Sequence, residues 1–410
     1  LYHSSILNSI FKHSSSKLYC IKKLLQYLLL PFAELYGWIT DFRNRMFDKR
    51  YFKSARFQIP VISVGNLSVG GTGKSPHVAY LVALLQQQYK VGSLSRGYGR
   101  KTREYHIAQM DSTAEQVGDE PLMLKLKYPN TQVVVGIDRL QTIPRMIADA
   151  PDLDVIILDD AFQHRSVRAG LSILLTDYSN LFTDDFLLPA GRLRERRKGY
   201  HRADIIVVTK CPESVDNTDR ERIIKQLKPF AYQHVYFSSI RYGNLYPLFN
   251  FGQENAWRYE NYIENGQQFY RLVRNEIKLK DNCLLVTGIA NAAPLEKELR
   301  SSFKQVYAQH YADHHHFDDH DLEVIRTAHN DIGAENCMIV TTEKDAVRLL
   351  KFREWFTRNN IQVYCQPIEV KFIGEDASNF NADVQKYVTH DLNIYKPVPE
   401  EESTFDNILE

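Results

Sequence analysis

The segment VGNLSVGGTGKSP, residues 64–76, combines glycines with a lysine and a serine in a pattern that is typical of phosphate binding. The backbone N–H groups of such a loop surround phosphate oxygens, and the N-terminus of a following helix adds a partial positive charge. Lys74 is placed to reach the terminal phosphates of a nucleotide, and the Ser75 hydroxyl to bind Mg²⁺. Ser68 replaces the first glycine of the strict pattern, but the remaining glycines still permit close approach of the backbone. The predicted nucleotide-binding residues are Ser68, Val69, Gly70, Gly71, Thr72, Gly73, Lys74 and Ser75.

A pair of acidic residues completes this site. In VIILDDAFQH, four apolar residues precede Asp159 and Asp160, which places both carboxylates at the end of a predicted strand. A phosphate loop requires such an acid to hold Mg²⁺, although adjacent acids can also be an ordinary helix cap or turn. His164 follows closely enough to lie near the metal. The segment TKCP, residues 209–212, lacks the acid of a guanine-binding motif, so the sequence favours ATP.

The elements that must position these residues alternate between strand and helix. Apolar strand-like runs occur in QIPVISVGN, KVGSLS, TQVVVGIDR, LDVIILDD, LSILLTDY and ADIIVVTK, with helical spacing in SPHVAYLVALLQQQY. This order is typical of a doubly wound, mostly parallel α/β sheet. Apolar residues make up 44% and charged residues 25% of 410 residues, as in a folded protein. The net charge of +1 gives no electrostatic reason to expect nucleic acid as a partner.

The pattern changes near residue 226. The segment AYQHVYFSSIRYGNLYPLF alternates and is aromatic, as in an antiparallel ribbon, and strand–helix alternation resumes at residue 281. We therefore predict a phosphate-loop NTPase-like core joined by an antiparallel β ribbon to a second, smaller α/β domain. The predicted divisions are an N-terminal helical region 1–50, the core 51–225, a β-ribbon linker with a polar insert 226–280, the smaller domain 281–385 and a tail 386–410.

The N-terminal region KLYCIKKLLQYLLLPFAELYGWITDFRNRMF allows two interpretations. It is a long helix that packs on the core, or an amphipathic helix that lies in a membrane interface with Trp38 toward lipid and basic residues toward anionic headgroups. No segment reaches the roughly 18 uninterrupted apolar residues of a membrane span.

Nine motifs in order resemble the tetraacyldisaccharide 4'-kinase family of lipid A biosynthesis. They are VGNLSVGGTGKSP, SLSRGYGRK, VGDEP, LDDAFQH, LLPAGRLRE, ADIIVVTK, TGIANAAPL, YADHHHFDDHDL and VTTEKDAVRL. The family's loop also carries the serine opening seen at Ser68. The resemblance implies transfer of the ATP γ-phosphate to the 4'-hydroxyl of an acylated glucosamine disaccharide phosphate. It further implies a peripheral protein on the cytoplasmic face of the bacterial inner membrane, whose N-terminal helix helps it to reach the lipid.

The resemblance also assigns a catalytic pair. Asp119 in VGDEP matches the family's catalytic acid, although GDEP alone reads as a turn and helix start. His314 in YADHHHF matches the partner that orients this acid, and Lys74 completes the predicted catalytic set. His316 and His320, four residues apart, leave a zinc site as an alternative for the histidine cluster.

Guanidinium groups bind phosphate through two hydrogen bonds, so arginines are candidates for an anionic glycolipid. For Arg196 and Arg197 we instead expect that both lie on a solvated helix face and pair with Glu195. The predicted substrate-binding residues are Arg96, Asn66, His164, Arg192 and Arg194.

Two other functions remain compatible with the loop itself. The chain could be a phosphate-loop ATPase that acts as a partner-binding switch, or a membrane-associated structural protein whose loop is vestigial. Turnover of ATP with and without the acylated disaccharide phosphate distinguishes a kinase from a switch, and absence of ATP binding would favour the structural protein.

Overall fold

A computed structural model of the chain describes residues 2–249, 259–264, 267–272 and 277–395, with side chains over 23–249 and 277–394. The helices of these ranges are α1 (Tyr2–Asp48), α2 (Lys74–Leu85), α3 (Ala114–Val117), α4 (Asp119–Lys127), α5 (Arg139–Asp149), α6 (Asn217–Leu227), α7 (Ala293–Ser302), α8 (Asp319–Ile332), α9 (Glu343–Leu349), α10 (Arg353–Arg358) and α11 (Asp376–Tyr395). The strands are β1 (Val61–Asn66), β2 (Val91–Ser95), β3 (His106–Ile107), β4 (Gln132–Val135), β5 (Val155–Asp159), β6 (Leu171–Asp177), β7 (Ile205–Thr209), β8 (His234–Tyr242), β9 (Tyr246–Pro247), β10 (Tyr259–Glu264), β11 (Gln267–Leu272), β12 (Asn282–Thr287), β13 (Gln305–His310), β14 (Cys337–Thr342), β15 (Val363–Gln366) and β16 (Ile368–Phe372).

The large sheet has nine strands in the order β16-β8-β7-β6-β1-β5-β2-β4-β3. Its seven central strands, from β8 to β4, are mutually parallel, and the short outer strands β16 and β3 pair antiparallel. Every residue of β1, β5 and β7 is buried, as expected for parallel strands covered by helices on both faces. The predicted mostly parallel α/β sheet is therefore confirmed. We call this sheet and its helices the larger unit.

A second sheet of five strands, in the order β13-β12-β14-β15-β9, forms the smaller unit. Strands β12 to β15 pair in parallel and β9 pairs antiparallel with β15. A separate antiparallel hairpin, β10 and β11, lies between β9 and β12 in the chain. The smaller α/β unit that the sequence predicted is thus present. Residues 231–249, from which the ribbon was predicted, instead form β8 of the large sheet and β9 of the small one, and the hairpin lies in the polar insert.

Two short connections join the units, and they lie side by side. The chain leaves the large sheet through residues 243–245 and returns through Pro367, which alone separates β15 from β16. The Gly243 backbone N–H donates to the Pro367 carbonyl over 3.1 Å, and the Gln366 side chain donates to the Gly243 carbonyl. The chain therefore crosses between the units at one narrow place, through two adjacent segments.

The C-terminal elements return to the larger unit. The sequence prediction assigned residues 226–280 to a linker and 281–385 to the smaller domain, but β8 and β16 pair in the large sheet. Helix α11 buries Phe380, Val384 and Val388 against this sheet, and Tyr387 bonds to the Val61 backbone. Of the predicted tail, residues 386–395 continue α11, and 396–410 lie outside the described ranges.

Helix α1 lies on the larger unit with one side and exposes the other. Ala33 is buried, and Leu29, Leu30 and Tyr36 pack into the adjoining core. The opposite side exposes nine large apolar residues by more than half of their surface: Leu24, Leu25, Tyr27, Leu28, Phe32, Leu35, Trp38, Ile39 and Phe42. None of the helices within the described ranges is long and apolar enough to cross a membrane.

Candidate active site

The phosphate loop occupies residues 67–73, between β1 and α2. Gly70 and Gly73 have φ of 109° and 82°, and Gly73 directly precedes the first turn of α2. Glycine is required there because a side chain disfavours positive φ. The loop is tied to a neighbouring segment, since the Val69 N–H donates to the Arg192 carbonyl and the Arg194 N–H to the Leu67 carbonyl, both over 2.7 Å. The free N–H groups and the helix N-terminus form an anion-binding cradle.

Side chains around the loop fix its shape. Asn66 donates to the Thr72 hydroxyl over 2.9 Å and accepts from the Lys74 ammonium over 3.4 Å. Lys74 also lies 3.8 Å from Asp160. His77 bridges the Gly73 carbonyl and a serine of β8, and burial lowers its pKa to about 4. His77 is therefore a neutral structural residue, and Asn66 holds the loop and its lysine.

The acidic pair lies at the end of β5, beside the loop. Asp159 is buried, and its Oδ1 has no hydrogen-bond partner among the described residues. Burial, followed by repulsion from Glu120, raises the pKa of Asp159 to about 7. Asp160 is partly exposed, has φ of 46°, and accepts from Arg194 over 2.9 and 3.0 Å.

These residues fit a magnesium ion. Mg²⁺ is usually held by one or two carboxylates together with waters and substrate phosphates. No donor from the described residues reaches the buried Oδ1 of Asp159. The Ser75 hydroxyl, at the start of α2, is within hydrogen-bonding distance of Glu120. Burial raises the pKa of Glu120, but the contacting Lys344 ammonium, the Ser75 hydroxyl and the charge of Lys74 together lower it below its ordinary value. A cation site between the loop and the strand end is consistent with this arrangement.

A buried arginine supports the turn after β5. Arg139, the first residue of α5, is 2% exposed and donates to the carbonyls of Asp159 and Asp160 over 2.6 and 3.4 Å. Its Nε and Nη1 have no partner within the described residues, and burial lowers its pKa to about 10. Burial, then the charges of Arg139 and Arg96, lowers the pKa of His164 to about 4. His164 is therefore neutral near pH 7, and the exposed Arg96 faces the same region.

The remaining predicted arginines lie on the segment that follows β6. Arg194 lies against Asp160, whereas Arg192 pairs with Asp185 over 3.1 Å and is half exposed. Arg194 is also linked to α1, because the Tyr36 hydroxyl donates to its carbonyl over 2.8 Å. The structure thus brings Arg194 to the phosphate loop and directs Arg192 toward a neighbouring loop.

The expected pairing of Arg196 and Arg197 with Glu195 is wrong. Glu195 is buried and accepts from Arg202 over 2.7 Å. Arg196 instead binds the α1 residues Glu34 and Asp41, and Arg197 donates to the Asp185 carbonyl. The helix α1 supplies these acids from far away in the sequence, so neighbouring residues gave no signal of the pairing.

Asp119 is the first residue of α4 and lies at the junction of the two units. It is 8% exposed, and its Oδ2 lies 3.0 Å from His314 Nδ1 of the smaller unit. Gly118 precedes it with φ of 94°, and a Cβ there would lie 3.0 Å from the Tyr98 carbonyl. Only glycine permits both this conformation and this close contact. The structure therefore brings together two predicted residues that are 195 positions apart.

His314 is held in an uncommon conformation for its type. Its φ is 59°, its backbone N–H donates to the Gly288 carbonyl over 3.1 Å, and the Tyr98 ring lies 5.4 Å away in an edge contact. Backbone strain of this kind is held by surrounding contacts and is common at active sites.

His315 of the same cluster has a partner of its own. His315 pairs with Asp321 over 2.7 Å, and the part of the chain that the structure describes holds no group of three metal-ligating side chains.

Four further residues at this site were not assigned by the sequence. Arg139 and Glu120 flank the acidic pair, Lys344 contacts Glu120, and Arg348 contacts Asp119. Glu120, Lys344 and Arg348 lie inside motifs already quoted, VGDEP and VTTEKDAVRL, but no local spacing shows that these motifs meet.

Comparisons with known proteins agree with this geometry. The family model for LpxK, described as tetraacyldisaccharide-1-P 4'-kinase, matches residues 25–389. A tetraacyldisaccharide 4'-kinase of Bacteroides thetaiotaomicron is 42% identical over 361 residues, which cover 88% of this chain and 92% of the relative. One from Flavobacterium johnsoniae is 40% identical over 369 residues, which cover 90% and 99%.

A solved structure is similar over most of the chain. It is the crystal structure of an "apo" form of LpxK from Aquifex aeolicus in complex with ATP, with a TM-score of 0.65 and 27% identity, covering 89% of this chain and 99% of that one. From the phosphate loop, the matched family and these relatives, the chain belongs to the LpxK family of tetraacyldisaccharide 4'-kinases.

Proposed function

We propose that this protein transfers the γ-phosphate of ATP to the 4'-hydroxyl of an acylated glucosamine disaccharide 1-phosphate, at the surface of a membrane. Membership of the LpxK family and the similarity to known tetraacyldisaccharide 4'-kinases support this reaction. No observation favours the partner-binding switch, and the relatives that the chain resembles are kinases.

The nucleotide is held by the phosphate loop in this proposal. The N–H groups of the loop and the N-terminus of α2 bind the phosphates. Lys74 turns from Asn66 and Asp160, which it contacts over 3.4 and 3.8 Å, toward the terminal phosphate. Asp159, Asp160 and Ser75 would hold Mg²⁺, which would neutralise charge on the transferring phosphoryl group.

Asp119 accepts the proton of the acceptor hydroxyl. In the reaction a bond forms between the sugar oxygen and the γ-phosphorus, the bond from phosphorus to the bridging oxygen breaks, and ADP leaves. The proton passes to the Asp119 carboxylate, while His314, at 3.0 Å, keeps that carboxylate oriented. The short distance between these residues is the single observation that carries this assignment.

Glycolipid recognition is assigned to the surface around Asp160. Arg194, Arg96 and His164 lie on this side of the loop, and Arg192 lies at its edge. Guanidinium groups suit an anionic acceptor, and the neutral His164 can donate or accept a hydrogen bond from a sugar hydroxyl.

Helix α1 brings the enzyme to the lipid. Its exposed apolar side, which includes Phe32, Trp38 and Phe42, fits a membrane interface rather than water. The same helix contacts the active site through Tyr36 and the Arg194 carbonyl. We therefore propose peripheral binding on the cytoplasmic face of the bacterial inner membrane.

A double-mutant cycle on the single-turnover rate tests the catalytic pair. Asp119→Ala and His314→Ala should each slow phosphate transfer by at least about 10²-fold, and the double variant little more, because residues that act as a unit are not additive. Phosphorylated lipid is measured by mass spectrometry, and ATP binding should change far less. His310→Ala is the control, since His310 pairs with Glu296 on the smaller unit. Additive losses, or normal turnover of Asp119→Ala, would contradict the assignment.

A further inference from the structure

We propose that Arg348 is a positioning residue for the reaction, which holds the Asp119 carboxylate in register with His314 across the junction of the two units. This inference rests on the proposed role of Asp119. It adds a third member, from α9, to the pair that the sequence identified.

The contacts of Arg348 are concentrated on one oxygen. Its side chain is 3% exposed, and its Nε and Nη2 donate to Asp119 Oδ2 over 2.9 and 2.6 Å. His314 Nδ1 reaches the same oxygen over 3.0 Å. Three donors therefore converge on Oδ2, and none of the described hydrogen bonds engages Oδ1. Oδ1 is thus the oxygen that remains to accept a proton from an acceptor hydroxyl.

A buried carboxylate holds Arg348 from the other side. Asp345 is fully buried and accepts from Arg348 Nη1 over 2.9 Å. It also accepts from the Thr287 and Thr342 hydroxyls and from the Gly288 N–H, over 3.1, 2.7 and 3.1 Å. With these partners Asp345 is fixed, and the arginine fork has one allowed direction.

The same corner of the smaller unit positions His314. The Gly288 N–H donates to Asp345, and the Gly288 carbonyl accepts from the His314 N–H over 3.1 Å. Arg348 and His314 are therefore built on one hydrogen-bonded frame and reach Asp119 together. Arginine does not lose its charge at accessible pH, so its hydrogen bonds to Asp119 do not depend on the protonation state of His314.

The two donors also settle how His314 is used. Arg348 Nη2 lies 3.3 Å from His314 Nδ1, but an arginine cannot accept a hydrogen bond. Arg348 could donate only to an unprotonated Nδ1, whereas the Asp119 carboxylate oxygen, which only accepts, needs a proton on Nδ1 for the 3.0 Å contact. We therefore assign the Nδ1 proton to the bond with Asp119, and Arg348 donates to the same carboxylate. Loss of Arg348 removes two of the three donors and leaves Asp119 free to rotate about its side-chain bonds.

The experiment compares three substitutions of Arg348 and measures both the activity and the folding of each variant. Arg348→Met keeps the length and packing of the side chain without its charge, Arg348→Lys keeps a cation, and Arg348→Ala opens space for added guanidinium. Single-turnover rates, the KM for ATP and lipid, and thermal unfolding are measured for each. Arg358→Ala is the control, since Arg358 lies on the surface of the same unit and pairs with Glu354.

Displacement of the carboxylate by about 1 Å costs roughly 10²-fold in rate. We expect this loss for Arg348→Met and Arg348→Ala with KM changed less than about threefold, a smaller loss for Arg348→Lys, and none for Arg358→Ala. Guanidinium at millimolar concentration should restore much of the rate of Arg348→Ala, and no rate when Asp119→Ala is added.

Two results would overturn the inference. One is an Arg348→Met enzyme that turns over as fast as Arg348→Lys. The other is a folded Arg348→Ala enzyme that guanidinium does not restore. If Arg348→Ala does not fold, the Met and Lys variants decide the question. Normal turnover of Asp119→Ala would instead refute the proposed function, which separates the two failures.

Discussion

Replacing the buried acid Asp159 by asparagine should make the ligand-free protein more stable while it abolishes most of the activity. Asp159 is 7% exposed, and its Oδ1 has no partner within the described residues. Burial, then repulsion from Glu120, raises its pKa from 3.8 to about 7. The folded state therefore opposes ionisation of this group, and asparagine removes the cost.

The direction and size of this change in stability follow from the protons that the folded and unfolded states bind. Because the folded state keeps the proton up to about pH 7 while the unfolded chain releases it near pH 3.8, the contribution of Asp159 to stability is full below pH 3.8. It is lost as the pH rises toward 7. The interval between 3.8 and about 7 corresponds to about 4 kcal/mol. Relaxation and entry of water reduce this, so we expect a gain of about 1–3 kcal/mol for Asp159→Asn at pH 8.

The assay is denaturant unfolding without nucleotide or metal, at several pH values between 5 and 8. The difference in free energy of unfolding between Asp159→Asn and wild type should grow up to about pH 7 and then remain constant. Asp160→Asn is the matched control, because Asp160 is partly exposed and its loss removes the ion pair with Arg194. A pH-independent difference, or a less stable Asp159→Asn protein at pH 8, would refute the reasoning.

Three further predictions address the nucleotide, the membrane and the junction of the units. Lys74→Ala should lower turnover by at least about 10²-fold, because it removes the charge that faces the terminal phosphates; near-normal turnover in a coupled ATP assay would contradict the phosphate-loop assignment. Trp38→Glu with Phe42→Glu should weaken flotation with anionic vesicles by at least about tenfold, because both side chains are more than 60% exposed on the apolar side of α1; undiminished flotation would exclude this side as the membrane contact. Lys127→Met should lower the free energy of unfolding by about 3–5 kcal/mol, because it leaves the Glu343 carboxylate, 3.1 Å away, buried without this cation; chemical denaturation measures the loss, and a neutral effect would show that the pair does not stabilise the junction.

Local patterns predicted the elements that carry the nucleotide site. A strand followed by glycines, a lysine and a helix is a continuous signal, and the phosphate loop lies between β1 and α2 as expected. Asp159 and Asp160 were recognised because an apolar run ends at them, and β5 ends at Asp159. Such signals work because the chain itself holds these residues together.

Local sequence patterns could not predict the contacts between segments that are distant in the chain. Asp119 and His314 were paired through the family resemblance, since GDEP alone indicates only a turn. Arg348 lies 229 positions from Asp119, and no periodicity connects α9 with α4. Arg139 was missed because buried arginines are uncommon. It also donates to backbone carbonyls, which every residue has, so no partner residue type marks the contact in the sequence.

The return of the chain to its first sheet has a consequence for biosynthesis. Strand β16 pairs with β8 along Ile368–Phe372, and α11 covers the sheet beside it, yet more than a hundred residues separate β8 from these elements. During synthesis the smaller unit therefore emerges before the larger unit has its last strand and its covering helix. Until then β8 is an open sheet edge that can pair with another chain. We therefore expect the emerging polypeptide to be prone to aggregation during this interval, and a message that ends before residue 368 cannot yield a finished nucleotide-binding unit.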